Sequence, residues 1–319
     1  MSGSNLDRDS KLNPYRYLIL GPSGFLTKAL ADESRSRGLG FEVSAGDGCD
    51  ITDPLRVRTL MAAFRERGSV VRSAAGCARA QEPMDVVINA ATEAGLGHSE
   101  SDKSTNLKTL ETGSKVVAEA AAEVGMKLVH LSTSSVFGGD KREPYDESDE
   151  AHPQSLRGTT ELACEKIALD VDPAFLVVRT SWLYGWPGGG FPCRVLELAA
   201  QKRTVKVPDE GIGSPTFARD LAVGLLDLVE AGATGLFHLA GSGWCSRYEL
   251  AVRALDYAAI AVPVEPTDAG DVRADRSEPL NLALDCTKAA ALGVELPDWK
   301  AGLSRFVREW RSSRIEREN

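Results

Sequence analysis

"LILGPSGFLTKAL", residues 18–30, decides the fold. An apolar run stops at Gly21, a short turn carries Pro22 and Ser23, and from Gly24 onward the apolar positions change to helical spacing. This is a buried strand feeding a helix through a tight turn. The missing side chains of Gly21 and Gly24 let the backbone N–H groups at the helix start approach a pyrophosphate. Ser23, Phe25 and Leu26 fall in the same turn. The third small position, three residues after Gly24, is Thr27, which predicts looser packing of helix on sheet than glycine would give.

Outward from this stretch, strand and helix patterns alternate. "FEVSAG" (41–46) is followed by "DPLRVRTLMAAFRERG" (53–68) and "DVVINAA" (85–91). A helix over about 107–124 leads into "KLVHLSTSSVF" (127–137), and one over about 159–169 leads into "AFLVVRTSWLYG" (174–185). Such alternation builds a parallel sheet. The fold class is therefore α/β: a Rossmann-type doubly wound sheet of at least five parallel strands with a small C-terminal α/β lobe. Beyond Gly185 the order loosens into a "PGGG" hinge or lid loop (187–190), helices near 193–201 and 218–231, and the strands "TVKVP" (204–208) and "GLFHLAG" (235–241). Three regions are expected: a disordered leader over 1–14, a nucleotide-binding domain over 15–185, and a lobe over 186–319 interleaved with it.

Composition narrows the partners. The chain of 319 residues carries a formal charge of −9, with no basic stripe interleaved with aromatics, which excludes a nucleic-acid surface. Its six cysteines show no paired spacing, so neither a zinc cage nor a disulfide framework is indicated, and four scattered histidines add no metal set. No apolar run reaches membrane-span length. A cytoplasmic protein with small-molecule partners is expected, with a homodimer left open.

Cofactor selectivity normally resides at the end of the second strand, where a carboxylate grips the adenosine ribose or a base grips its extra phosphate. Ser44, Ala45 and Gly46 offer neither, so the choice between NAD and NADP is not readable. Asp50 and Ile51 could frame the adenine; equally, Asp50 could cap the next helix, with Thr52 and Asp53 as rivals.

An ordered set of segments carries a resemblance: "GPSGFL", "DITDP", "DVVINAA", "KLVHLSTSSVF", "EPYDESD", "VVRTSWLYG", "GIGSPTFARDLA", "GLFHLAGSG" and "ALGVELPDW". Running from about residue 16 to 310, the chain resembles the extended short-chain dehydrogenases/reductases and, within them, the dTDP-4-dehydrorhamnose reductases. The resemblance implies NAD(P) binding, a lobe for a nucleotide sugar, and hydride transfer to a ketone. It implies that Gly21, Ser23, Gly24, Phe25 and Leu26 line the pyrophosphate and that Asn89, Ala90 and Ala91 pass beneath the cofactor. It also implies that Thr133 hydrogen-bonds the substrate carbonyl, while Trp182 and the loop Gly213, Ser214 and Pro215 face the sugar; core packing is the alternative for Trp182.

The departure lies in "SLRGTTELACEK" (155–166). The family's proton-donating tyrosine and the lysine four residues later are replaced by Arg157 and Glu161. A guanidinium with pKa above about 12 is a poor acid near neutrality. A carboxylate would raise a neighbouring phenol's pKa, where the family's lysine lowers it. The stretch after "NAA" is also altered, and a segment over 66–83 is added. Three readings stay open. The site could be a relic in a binding or regulatory subunit, with Arg157 and Glu161 as a helical ion pair. It could serve elimination, isomerisation or epimerisation, with Arg157 holding an anion, Glu161 as base and Thr133 or Ser134 orienting the substrate. Or it could reduce a ketone with an unconventional proton donor.

Overall fold

The computed structural model describes residues 15–44, 50–74, 84–90, 100–201, 204–267 and 279–318. β1 (Tyr15–Leu20), β2 (Gly40–Ser44), β3 (Met84–Asn89), β4 (Lys127–Thr133) and β5 (Leu176–Thr180) form a parallel sheet with a sixth strand, Gly235–His238. The order is Gly235–His238, β5, β4, β3, β1, β2. The chain leaves β1 to one side for β2 and returns to its other side for β3. That reversal opens a crevice at the carboxyl ends of β1 and β3, the place where such sheets bind ligands.

The central strands are apolar on both faces because helices cover both. Tyr17, Ile19, Val86, Ile88, Val129 and Leu131 share one buried cluster with Leu30 of α1 (Phe25–Ser36) and with Leu221 and Leu225, which belong to the later helix Ala218–Glu230. On the opposite face Leu18, Leu20, Val87 and Leu128 meet α2 (Pro54–Ala74), α3 (Glu100–Val124) and α4 (Leu156–Val171) through Val57, Val117 and Ala168. A second core fills the lobe, where α5 (Phe191–Ala199), α7 (Arg247–Ala258) and the C-terminal helix Trp299–Glu318 bury Leu196, Leu250, Phe306 and Trp310 around Tyr184 and Phe217. The helix Ala218–Glu230, α6, lies between them in the chain, and it and the sixth strand return the C-terminal half to the central sheet.

Several boundaries differ from the sequence expectation. α4 begins three residues early because Ser155 caps it, its Oγ accepting from Gly158 N at 3.1 Å. α2 runs to Ala74, so the first part of the added segment continues a helix. Residues 1–14 and 75–83, the leader and the rest of that segment, lie outside the described residues. Among the described residues no helix is long and apolar enough to cross a membrane.

The core also buries two histidines, His130 in β4 and His238 at the end of the sixth strand. Burial depresses both pKa values from 6.5 to about 4, helped at His238 by the charge of Arg179. An unfolded histidine takes its proton near pH 6.5, whereas the folded ones resist it until about 4. Below pH 6.5 the unfolded chain therefore binds more protons, and stability falls as pH drops toward 4. Denaturation midpoints measured from pH 7 to 4.5 should decline across that window. His130→Asn should show a shallower decline; superimposable profiles would remove His130 from this account.

Candidate functional site

The glycine turn is held tightly against the neighbouring strand. Ala90 N donates to Leu20 O at 2.8 Å, and a Cβ built on Gly21 would sit 3.0 Å from the carbonyl of Ala90. That approach explains glycine at position 21. Gly24 is different: a Cβ there meets nothing nearer than Pro22 O at 3.9 Å, so its side is open. Gly24 is the N-cap of α1 and supplies no capping side chain, which leaves the first N–H groups of the helix directed at the crevice. Thr27 is buried, and its Oγ1 donates to Pro22 O at 2.8 Å, fastening the turn.

A cavity of about 560 Å³ opens here, within the range of small-molecule sites. Pro22, Ser23, Gly24, Phe25, Leu26 and Thr27 form one end, with Ala90 beside them. Thr133, Ser134, Ser135, Arg157 and Thr180 form the middle, and Trp182, the loop from Pro187 to Phe191 and Arg247 close the lobe side. Both threonines stand at strand ends, since Thr133 and Thr180 are partners in the β4–β5 register. Thr133 Oγ1 accepts from Ser135 N at 3.2 Å, which leaves its O–H proton to donate elsewhere. Thr180 is 6 % exposed, and its Oγ1 has no partner among the described residues.

Arg157 reaches this wall because of the glycine that follows it. A Cβ on Gly158 would lie within 2.1 Å of Ser135 O, so only glycine lets the first turn of α4 seat against the turn after Thr133. Arg157 is exposed and lines the cavity. Glu161, one turn on, is 1 % exposed and contributes to raising the pKa of the Cys164 thiol, which burial lifts most, to about 12. It is absent from the cavity lining. Ser134 is buried and engaged: its Oγ lies 3.1 Å from Ser181 Oγ, and Ser181 in turn donates to Leu282 O at 2.7 Å and accepts from Ser214 N at 3.4 Å. Ser134 and Ser214 thus tie the sheet to the lobe.

Trp182 has a φ of 40°, a left-handed conformation uncommon for a bulky residue. Its indole lies over Gly213, where a Cβ would meet Cε2 at 2.3 Å. The guanidinium of Arg247 stands 4.5 Å from the Trp182 ring and 5.1 Å from that of Phe191, so two aromatic faces hold one cation at the cavity wall. Pro215 contributes its backbone, its carbonyl blocking any side chain at Gly241.

Other expected positions fall elsewhere. Asp50 Oδ1 accepts from Thr52 N at 2.9 Å, closing a turn, whereas Asp53 caps α2 by accepting from Leu55 N and Arg56 N at 3.0 Å each. Ile51 packs against Gly113 of α3. Neither Asp50 nor Ile51 lines the cavity. Asn89 is buried, its Nδ2 lying 3.3 Å from His130 Nδ1, so it supports the floor beneath Ala90. Ala91, Ala45 and Gly46 lie outside the described residues. Tyr145 and Tyr184 are buried away from the cavity, and the buried Cys193 thiol is pushed up to about 12. Among the described residues no group of His, Cys, Asp and Glu could hold a metal.

Arg247 is a cavity-lining residue that sequence reading missed. Its signal was present: "SRYE" (246–249) is a capping box, with Ser246 Oγ accepting from Glu249 N at 3.1 Å. It therefore starts a helix soon after the carboxyl end of a parallel strand.

Comparison with known proteins agrees with this geometry. The family model described as RmlD substrate binding domain matches residues 15–312. A dTDP-4-dehydrorhamnose reductase of Mycolicibacterium smegmatis is 32 % identical over 298 residues, covering 92 % of this chain and 85 % of the relative. The crystal structure of the Bacillus anthracis dTDP-4-dehydrorhamnose reductase in complex with NADP superimposes with a TM-score of 0.81 at 28 % identity, over 92 % of this chain and 99 % of that one. That of Clostridium acetobutylicum gives 0.80 at 28 %, over 93 % and 99 %. The chain belongs to the RmlD substrate-binding-domain family, among the dTDP-4-dehydrorhamnose reductases and their extended short-chain dehydrogenase/reductase kin.

Proposed function

We propose that this protein binds NAD(P) at the amino end of α1 and a nucleotide sugar across the same cavity, and lacks the phenol-based proton relay of ketone reduction. The observation that carries this reading is the chemistry of the lining. Among the described residues, the charged side chains around the cavity are Arg157 and Arg247, and no tyrosine, lysine or carboxylate lines it. A bound nicotinamide would supply hydride. The chain's part is to receive two phosphate-rich ligands: open N–H groups after Gly24 face one diphosphate, and Arg247, held by Trp182 and Phe191, faces the other.

The reading that makes Glu161 a general base loses support from its burial away from the cavity. A base must come within hydrogen-bond reach of the proton it removes. Reduction with a proton from water or from the Thr133 hydroxyl stays compatible with the site, at a rate below that of a tuned phenol.

Titration with NADPH and NADH, followed by NADPH oxidation in the presence of a dTDP-4-keto-6-deoxy sugar, tests the proposal. Cofactor should bind and turnover should be slow. Family-like turnover by the native chain, or no binding of either cofactor, would overturn it.

A further inference from the structure

Thr133 and Thr180 close adjacent strands as partners in the β4–β5 register, so their side chains leave the same face of the sheet. Both line the cavity. Thr133 Oγ1 accepts from Ser135 N at 3.2 Å and keeps its proton for a ligand. Thr180 is 6 % exposed, and its buried Oγ1 has no hydrogen-bond partner among the described residues. Its neighbour Ser181 shows the contrast, with Oγ 3.1 Å from Ser134 Oγ and donating to Leu282 O at 2.7 Å. An unsatisfied buried hydroxyl costs free energy that valine, of the same shape and well suited to a strand, would avoid. With no such bond holding it, the Thr180 hydroxyl can turn about χ1 toward whatever fills the cavity.

Paired strands run about 4.8 Å apart, so a single ligand atom between the two threonines comes within hydrogen-bond reach of both. Counting protons selects that atom. A ketone oxygen has two lone pairs and no hydrogen, so it takes one proton from each threonine and nothing is left over. A sugar hydroxyl brings a third proton. Because the two threonines do not bond each other, one of the three then stays unpaired among these oxygens, and no carboxylate lines the cavity among the described residues to take it.

We infer that Thr180 is a second carbonyl-binding residue, which with Thr133 grips the keto oxygen of the sugar and makes the site select a ketone over the matching alcohol. The inference rests on the nucleotide-sugar reading above and deepens it: loss of the phenol then removes proton delivery without removing the hold on the ketone.

The test uses the full chain saturated with NADP or NAD, whichever binds, because the oxidised cofactor has no hydride to give and leaves a ketone intact. Three probes that differ at C4 alone are titrated calorimetrically: dTDP-4-keto-6-deoxyglucose, dTDP-6-deoxyglucose and dTDP-4,6-dideoxyglucose. The native chain should bind the ketone about tenfold more tightly than either of the others. Thr180→Val should weaken the ketone by about tenfold and leave the dideoxy sugar nearly unchanged, since that probe has no oxygen for the hydroxyl to meet. Thr180→Ser restores the hydroxyl and should recover the ketone's affinity. The infrared C=O stretch of the bound ketone should rise in frequency from the native chain to Thr180→Val, a change that a purely structural residue would not cause. Equal affinity for ketone and alcohol in the native chain, or a Thr180→Val effect that is absent or is the same for ketone and dideoxy sugar, would overturn the inference while the nucleotide-sugar reading stands. If the cofactor binds and none of the three sugars does, the nucleotide-sugar reading falls, and the inference with it. Valine suits a buried strand, and circular dichroism checks that both variants are folded.

Discussion

The double variant Arg157→Tyr with Glu161→Lys should reduce a dTDP-4-keto-6-deoxy sugar at least about 100-fold faster than the native chain, as kcat/KM. A positioned general acid contributes about 10² to 10⁴ in rate. The backbone seat for it is already present, because Gly158 packs on Ser135 and brings position 157 to the cavity beside Thr133. Arg157→Tyr alone should gain less. A phenol with an ordinary pKa near 10 transfers its proton poorly without a neighbouring cation to lower it. The lysine enters a buried position, but its four-carbon stem can carry the ammonium out toward the crevice. Arg157→Phe with Glu161→Lys has the same bulk and no hydroxyl, and should gain nothing. Steady-state NADPH oxidation decides the matter: a double variant that folds, binds NADP and is no faster than the native chain would show that the missing relay is not what limits reduction.

The second large effect concerns stability. Arg179 of β5 and Glu165 of α4 form a two-pronged pair, Nε to Oε1 at 2.8 Å and Nη2 to Oε2 at 2.7 Å, with each side chain 4 % exposed. Ser132 also donates to Glu165 Oε1, and the guanidinium lies 4.9 Å from the Phe137 ring centroid. Removing one member strands the other charge in the interior, which costs about 3 to 5 kcal/mol. Arg179→Leu and Glu165→Leu should each lose that much in urea denaturation. The double substitution should recover most of it, since replacing both partners by apolar groups removes the desolvation penalty on each side. Single losses below about 1 kcal/mol would mean that water reaches the pair.

Much of the fold was legible because a strand buried on both faces writes itself as an unbroken apolar run. "YLIL", "VVI" and "LVV" give β1, β3 and β5 directly. The glycine turn was equally readable as a turn, but the sequence did not show that Gly21 is required by the approach of the Ala90 backbone while the side of Gly24 is open. Nor were the side chains of α4 legible. Their spacing placed Arg157 and Glu161 on one helical face, but which of them meets solvent and which is buried depends on the helix's rotation against its neighbours. Asp50 and Asp53 were interchangeable in sequence because both can cap; Pro54 at the helix start favours the residue directly before it. The capping box announced the helix start at Arg247, but its place at the cavity wall depends on Trp182, 65 residues earlier in the chain.

Phe25 ties the two halves together. Its ring fills the space left by Gly185 and Gly189, where any side chain would collide with it at 2.6 and 2.0 Å respectively. The ring comes from the first turn after β1, whereas its glycine sleeve lies some 160 residues later in the chain, after β5. A chimera that grafts this lobe onto a relative's N-terminal half must therefore transplant position 25 as well, or it will carry a socket without its plug.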